Sequence, residues 1–170
     1  MKRIVIIGSG GAGKSTLAKK LSEILQIEVL HLDKLYWIAG WQKPSKLEWQ
    51  SKVEELLKKD SWIMDGNFGG TMETRLAACD TAIFLDLPCT ICLYRILKRW
   101  WTYRNTNRPD MTEGCNEKVD FDMLDWVWTF PKRAKPEIEA RLKKVENEKK
   151  IIRLKSPQEV QDFLESCKKN

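Results

Sequence analysis

Arg3-Ile4-Val5-Ile6-Ile7-Gly8-Ser9-Gly10-Gly11-Ala12-Gly13-Lys14-Ser15-Thr16 is the stretch that decides the fold. Arg3 to Ile7 is a β-branched run, the pattern of a parallel strand buried on both faces. Glycines follow at once, and a helical period begins at Lys14. Gly8, Gly13, Lys14 and Ser15 fill every fixed position of G-x-x-x-x-G-K-[ST], the P-loop pattern, between a strand and a helix. Glycines let such a loop wrap closely around phosphates with its N–H groups turned inward. The helix that follows offers its positive end to the same anion. Gly8 through Thr16 are therefore the candidate cradle for ATP, or a closely related nucleoside triphosphate, with Mg²⁺. Lys14 is expected at the β- and γ-phosphates and the Ser15 hydroxyl on Mg²⁺. A Gly-rich turn with a surface lysine is the plainer alternative, and it leaves the strand–loop–helix frame unexplained.

Outward from this stretch, Lys14 to Leu25 reads as a helix with Leu17, Leu21, Ile24 and Leu25 on one face. Ile27 to Leu32 reads as a second strand, ending at His31-Leu32-Asp33. A loop at Gly40 to Pro44 precedes an amphipathic helix, Ser45 to about Lys59, with Leu47, Val53, Leu56 and Leu57 as its core residues. Ser61 to Asp65 is a third strand, stopped by Gly66-Asn67. A short helix from Thr71 to Ala78 leads to a fourth strand, Thr81 to Asp86, and Pro88 opens a long helix carrying Arg95 and Arg99. About 105–118 reads as a loop or lid. Helix resumes near Val119 and is broken or bent near Pro131 and Pro136. Lys150 to Leu154 is a fifth strand. Ser156-Pro157-Gln158-Glu159 opens the last helix, with Ser156 as N-cap and Glu159 completing a capping box. Strands alternating with helices predict an α/β, three-layer P-loop NTPase fold: a five-stranded parallel sheet flanked by helices. The expected organisation is a single domain over 1–170 with a small lid.

The chain has 170 residues, enough for one domain with a substantial core. Its 42% hydrophobic and 32% charged residues exclude a disordered chain. Thirty Lys and Arg against 24 acids give +6, which suits anionic partners. No apolar run reaches the roughly 18 residues needed to span a bilayer, so no membrane partner is expected. Ile4 to Ile7 is too short for a secretory signal, and the expected location is the cytoplasm. Cys79, Cys89, Cys92, Cys115 and Cys167 are odd in number and scattered, which is no disulfide framework. Cys89 and Cys92 form a C-x-x-C. Zinc there would need two more ligands, for which only Cys115 and His31 are eligible, and ordinary buried thiols explain the pattern more simply.

A P-loop also needs an acid at the end of a neighbouring strand to organise Mg²⁺. Asp65 and Asp86 both end apolar strands. Asp65 is preferred, because Gly66 permits close approach to a ligand. The plainer role for either is to cap a helix or hold a loop. Arg95 and Arg99 share a helix face and suggest a clamp on the transferring phosphoryl group, against a solvated basic face. Trp100, Trp101 and Tyr103 interleave with Arg99, Arg104 and Arg108. That mixture suits single-stranded nucleic acid, but core packing explains the aromatics more simply. Asp33, just beyond the second strand, is the candidate base that orients an acceptor hydroxyl. Its competing role is to cap a short helix through Leu35 and Trp37.

These residues together carry a resemblance. Gly8–Thr16, His31–Trp37, Trp62–Asn67, Ile83–Asp86, Cys92–Arg99 and Arg108–Cys115 resemble the bacterial DNA topology modulation proteins, small relatives of the adenylate-kinase-like P-loop kinases. The resemblance implies a five-stranded parallel sheet, a mobile lid and γ-phosphoryl transfer. Arg95 and Arg99 match the family's Arg-x-x-x-Arg, and Asp65-Gly66 its Asp-Gly. Adenylate kinases continue with Phe-Pro-Arg, where this chain has Asn67-Phe68-Gly69, and His31-Leu32-Asp33 replaces their Thr-Gly-Asp. AMP as acceptor is therefore not implied. Arg75 is the candidate to replace the missing arginine.

Two functions fit. One is an ATP-dependent phosphotransferase acting on a small acceptor, nucleotides among the candidates. The other is a nucleic-acid-associated ATPase or ATP-dependent regulator, drawing on the net charge, Arg104 to Arg108 and the basic stretch Arg141 to Lys155. Nucleic-acid binding of that kind would be weak and indifferent to sequence.

Overall fold

A computed structural model describes residues 1–38, 42–103 and 121–169. The expected lid at about 105–118 lies outside the described residues. So do Gly40, Arg104, Arg108 and Cys115.

Five strands form one parallel sheet in the order β2-β3-β1-β4-β5: β1 (Arg3–Gly8), β2 (Val29–His31), β3 (Trp62–Asp65), β4 (Thr81–Leu85) and β5 (Lys150–Leu154). The P-loop strand β1 is central, and β3 and β4 flank it. Alternation along β1 sends Ile4 and Ile6 to one face and Val5 and Ile7 to the other. On the first face they pack against α1 (Lys14–Leu25), α5 (Cys89–Tyr103) and α8 (Pro157–Lys168), through Leu17, Leu21, Cys92, Ile96 and Leu164. On the second they meet α3 (Lys46–Leu57), α4 (Gly69–Ala78) and α7 (Lys135–Val145), through Trp49, Val53, Met72, Leu76, Ile138 and Leu142. Helix α6 (Phe121–Arg133) reaches both clusters, with Val127 in the first and Phe130 in the second. Both faces of the sheet are thus covered, as the unbroken apolar runs of its inner strands require.

Several local expectations need correction. Strand β2 is only three residues long, because Leu32 already begins α2 (Leu32–Tyr36). Leu47 is 76% exposed; Trp49 takes the core position in α3, whose start is fixed by a Ser45–Glu48 capping box. In α8 the Ser156 hydroxyl accepts the Glu159 N–H as expected, but the Glu159 carboxylate reaches back to Lys155 N instead of closing the box. Pro131 lies inside α6, and the break comes after Arg133, with Pro136 opening α7. Trp100 and Trp101 are exposed, so core packing does not explain them. Among the described residues, no helix is long and apolar enough to cross a membrane.

Candidate active site around the P-loop

The P-loop is shaped by what touches it. Gly11 and Gly13 have φ of +74° and +95°, left-handed values that favour glycine. A Cβ on Gly11 would lie 2.2 Å from the Cys92 carbonyl oxygen, so only glycine lets α5 come this close. The loop therefore rests directly on α5. Arg95, one turn further along α5, donates from Nη1 to the Ala12 carbonyl at 3.1 Å. Asn67, beyond β3, accepts the Gly8 N–H at 3.1 Å through Oδ1. The loop is thus anchored from both flanking strands' connections.

Lys14 donates from Nζ to the Gly8 and Ser9 carbonyls at 3.0 and 2.9 Å. Burial pulls its pKa below the ordinary lysine range. The charges of Asp33 and Asp65 oppose that shift, and Arg99 adds to it. Those influences put Asp33, Asp65 and Arg99 in electrostatic reach of Lys14. Ser15 is partly exposed and Thr16 exposed in the first turn of α1.

Asp65 is 5% exposed. Its neighbour on β2 in register is His31, and the His31 Nδ1 to Asp65 Oδ1 distance is 2.9 Å. Sequence reasoning missed this pair. The signal lay in two strands ending at residues that a parallel register could align, but the register itself is not written in either segment. Asp33 sits in the first turn of α2, where a carboxylate favours the helix dipole, but the N-cap is His31. The capping explanation for Asp33 is therefore corrected. Asp86 is committed elsewhere: Lys135 and Arg153 pair with it at 2.9 and 2.7 Å.

Arg75 is fully buried. It donates to the carbonyls of Gly66 (3.0 Å), Asn67 and Phe68 (3.2 Å) and to Thr71 Oγ1 (3.3 Å). Burial lowers its pKa to about 10. It is not available to an acceptor phosphate. It fixes the turn after β3, in which Phe68 holds a left-handed φ of 31°. Four cations of the basic stretch from Arg141 are likewise engaged within the fold. Arg141 bonds Gly69 O and Glu137, Lys144 meets Glu73, Lys149 donates to Ala77 O, and Arg153 reaches Glu139 besides Asp86. Cys89 and Cys92 are free thiols, and burial raises the Cys92 pKa. Among the described residues no group of three His, Cys, Asp or Glu is placed to hold a metal ion.

Comparison with known proteins agrees with this frame. A shikimate kinase from Acinetobacter baumannii, solved with shikimate, superposes with a TM-score of 0.62 at 18% identity, over 98% of this chain and 90% of that one. A deoxyadenosine kinase from M. mycoides with bound dATP gives a TM-score of 0.51 at 12% identity, over 96% and 97%. At such identities the likeness is one of fold, and the fold is that of the P-loop kinases. In sequence, an adenylate kinase from Thermosipho africanus (strain TCF52B) is 33% identical over 97 residues, 55% of this chain and 44% of that protein. No model of a known protein family matches the chain. The uncharacterized protein YqaC of Bacillus subtilis (strain 168) is 31% identical over 128 residues, 74% of this chain and 71% of YqaC. On an adenylate-kinase-like P-loop frame, the chain belongs to the same family as YqaC.

Proposed function

We propose that this protein is an ATP-dependent phosphotransferase that moves the γ-phosphoryl group of ATP to the hydroxyl of a small acceptor. The observation that carries the reading is the convergence of Lys14, Arg95, Asp65 and Asp33 at the C-terminal edge of β1, β2 and β3, around one P-loop. Ligands of open α/β sheets gather at this edge.

In this reading Gly8 to Thr16 cradle the triphosphate with backbone N–H groups. Lys14 leaves its carbonyl partners to meet the β- and γ-phosphates. Arg95 and Arg99 stabilise charge that spreads over the moving phosphoryl group. Asp33 accepts the acceptor hydroxyl's hydrogen bond, aims the oxygen at the γ-phosphorus and takes the proton as transfer completes. The Ser15 hydroxyl and the buried Asp65 carboxylate are oxygen donors of the kind Mg²⁺ takes, few in number because the ion keeps several waters. When bound, Mg²⁺ would neutralise phosphate charge. His31 would hold one Asp65 oxygen and so fix the carboxylate's orientation. The resemblance to bacterial DNA topology modulation proteins belongs to this reading too, and an indirect effect on DNA would fit it equally well.

Titration calorimetry tests the phosphate site. Lys14→Ala is expected to lose most Mg·ATP affinity, and Ser15→Ala to lose more with Mg²⁺ than without it. Unchanged Mg·ATP affinity in both variants would overturn the assignment.

A further inference from the structure

We infer that the side-chain amide of Asn67 donates a hydrogen bond to the γ-phosphate of ATP, and so tells ATP from ADP. The inference rests on the kinase reading and adds a residue to its phosphate site.

Asn67 stands in the turn just past the end of β3. That turn is held in an unfavourable shape. Gly66 and Phe68, on either side of Asn67, have φ of +133° and +31°, and for a phenylalanine a left-handed value is strained. Such strain persists only where the surroundings enforce it, and it gathers at ligand sites. Here the enforcing group is Arg75, fully buried, which donates to the carbonyls of all three turn residues. The side chain that this turn delivers to the P-loop is that of Asn67. Its Oδ1 accepts the Gly8 N–H at 3.1 Å, across 59 positions of sequence.

The chemistry of that contact assigns the orientation of the amide. A backbone N–H can only donate, so the amide atom facing Gly8 is the oxygen. Nδ2 and its two N–H groups are left over. Among the described residues Nδ2 has no hydrogen-bond partner, and Asn67 is only partly buried. Arg75 fixes the backbone of Asn67 and Gly8 fixes its oxygen, so these donors are set before any ligand arrives.

Lys14 marks which part of a ligand comes near. Its ammonium rests on the Gly8 and Ser9 carbonyls at 3.0 and 2.9 Å, and Gly8 is the residue whose N–H Asn67 holds. In the kinase reading that ammonium moves out to meet the β- and γ-phosphates. The β-phosphate then belongs to the N–H groups of Gly13 to Ser15, where α1 begins. The γ-phosphate lies on the other side, toward the first residues of the loop and the end of β3, which is where Asn67 stands. Fixed amide donors there suit an anionic oxygen.

The test is titration calorimetry on the full chain with Mg²⁺, comparing ADP with the β,γ-imido analogue of ATP. Asn67→Ala removes the oxygen and the donors together. Asn67→Asp keeps an oxygen for the Gly8 N–H and removes the donors. In both variants the preference for the ATP analogue over ADP is expected to fall on the order of ten- to a hundredfold, the scale of one hydrogen bond to a charged group. Retained ADP binding reports an intact fold and P-loop. If Asn67→Ala does not fold, Asn67→Asp carries the comparison. A residue that merely props the loop gives another pattern: Asn67→Ala weakens both nucleotides by the same factor, and Asn67→Asp restores both. That pattern, or an unchanged preference in either variant, overturns the inference and leaves the kinase reading standing. If the wild-type chain binds neither nucleotide, the kinase reading falls and takes this inference with it.

Discussion

Asp65 and Asp86 occupy nearly mirrored places. Each lies at the end of a strand hydrogen-bonded to β1, one on either side of the P-loop strand, and each follows an apolar run. Their partners differ completely. Asp86 is held by two cations, Lys135 and Arg153, drawn from α7 and β5. Asp65 has a histidine beside it and Lys14 within electrostatic reach, and the Lys14 hydrogen bonds run to carbonyls. A carboxylate already matched by two cations works as a clasp between elements. Under the proposed reading, the one beside an imidazole is the one that meets a ligand. Position at a strand end does not distinguish the two roles; the identity of the partners does.

The largest expected effect breaks this comparison directly. Asp65→Asn should lower Mg²⁺-dependent turnover on the order of 10²- to 10³-fold, as loss of a charge that organises the phosphoryl-transfer site does. Asp86→Asn should leave turnover within about twofold of wild type, since its partners would hold it outside the chemistry. Once an acceptor is known, steady-state kinetics at saturating Mg²⁺ measures both. Equal losses in the two variants would mean that the sheet, rather than Asp65, sets the rate.

Stability should show the reverse order, at smaller size. Asp86→Asn leaves Lys135 and Arg153 without their shared anion and should cost about 1–3 kcal/mol. Asp65→Asn keeps a group that can still bond His31 and should cost less. Denaturant titration of both variants gives the ranking. A cycle with Arg153→Leu should recover coupling between 86 and 153. No coupling there, with turnover lost at Asp86, would exchange the two roles.

How much of this was legible in the sequence follows from the same contrast. The β1–P-loop–α1 unit could be read whole, because each of its residues is constrained by backbone geometry within a few positions. Strand and helix alternation gave the parallel sheet for the same reason. Trp49 displaced Leu47 because the apolar face of α3 is set by what α4 and β3 present, which local period cannot see. Arg75 looked like a free cation on a short helix. Only the turn at Gly66 to Phe68, folded back over it, consumes its donors. The His31–Asp65 pair depends on the register of β2 against β3, and the Asp86 clasp on residues 49 and 67 positions away. Chemistry carried by one segment was visible. Chemistry made by the meeting of segments was not.

The smallest expected effect concerns the cations of the two sites. Lys135 and Arg153 meet a carboxylate directly and stabilise the fold, whereas Lys14 carries a charge into a desolvated loop. Burial is the dominant influence on its pKa and lowers it from the ordinary lysine value of 10.5. The unfolded chain therefore holds the proton more tightly than the native one. Below the lowered native pKa both states are protonated, and the native state bears the full penalty of the buried charge. Between that pKa and 10.5 the native state alone sheds the proton, so stability from this group rises with pH. Lys14→Met, without nucleotide, should remove the penalty and melt slightly above wild type at neutral pH, while Mg·ATP binding is lost. The gap should narrow as pH is raised toward 10.5, and comparing the two chains at each pH cancels the titration of other groups. Differential scanning calorimetry across that window measures it. If wild type melts higher by a constant margin at every pH, the two carbonyl hydrogen bonds outweigh desolvation. Lys14 would then be a structural clasp of the Asp86 kind, and the contrast between the two sides of β1 would lose one of its supports.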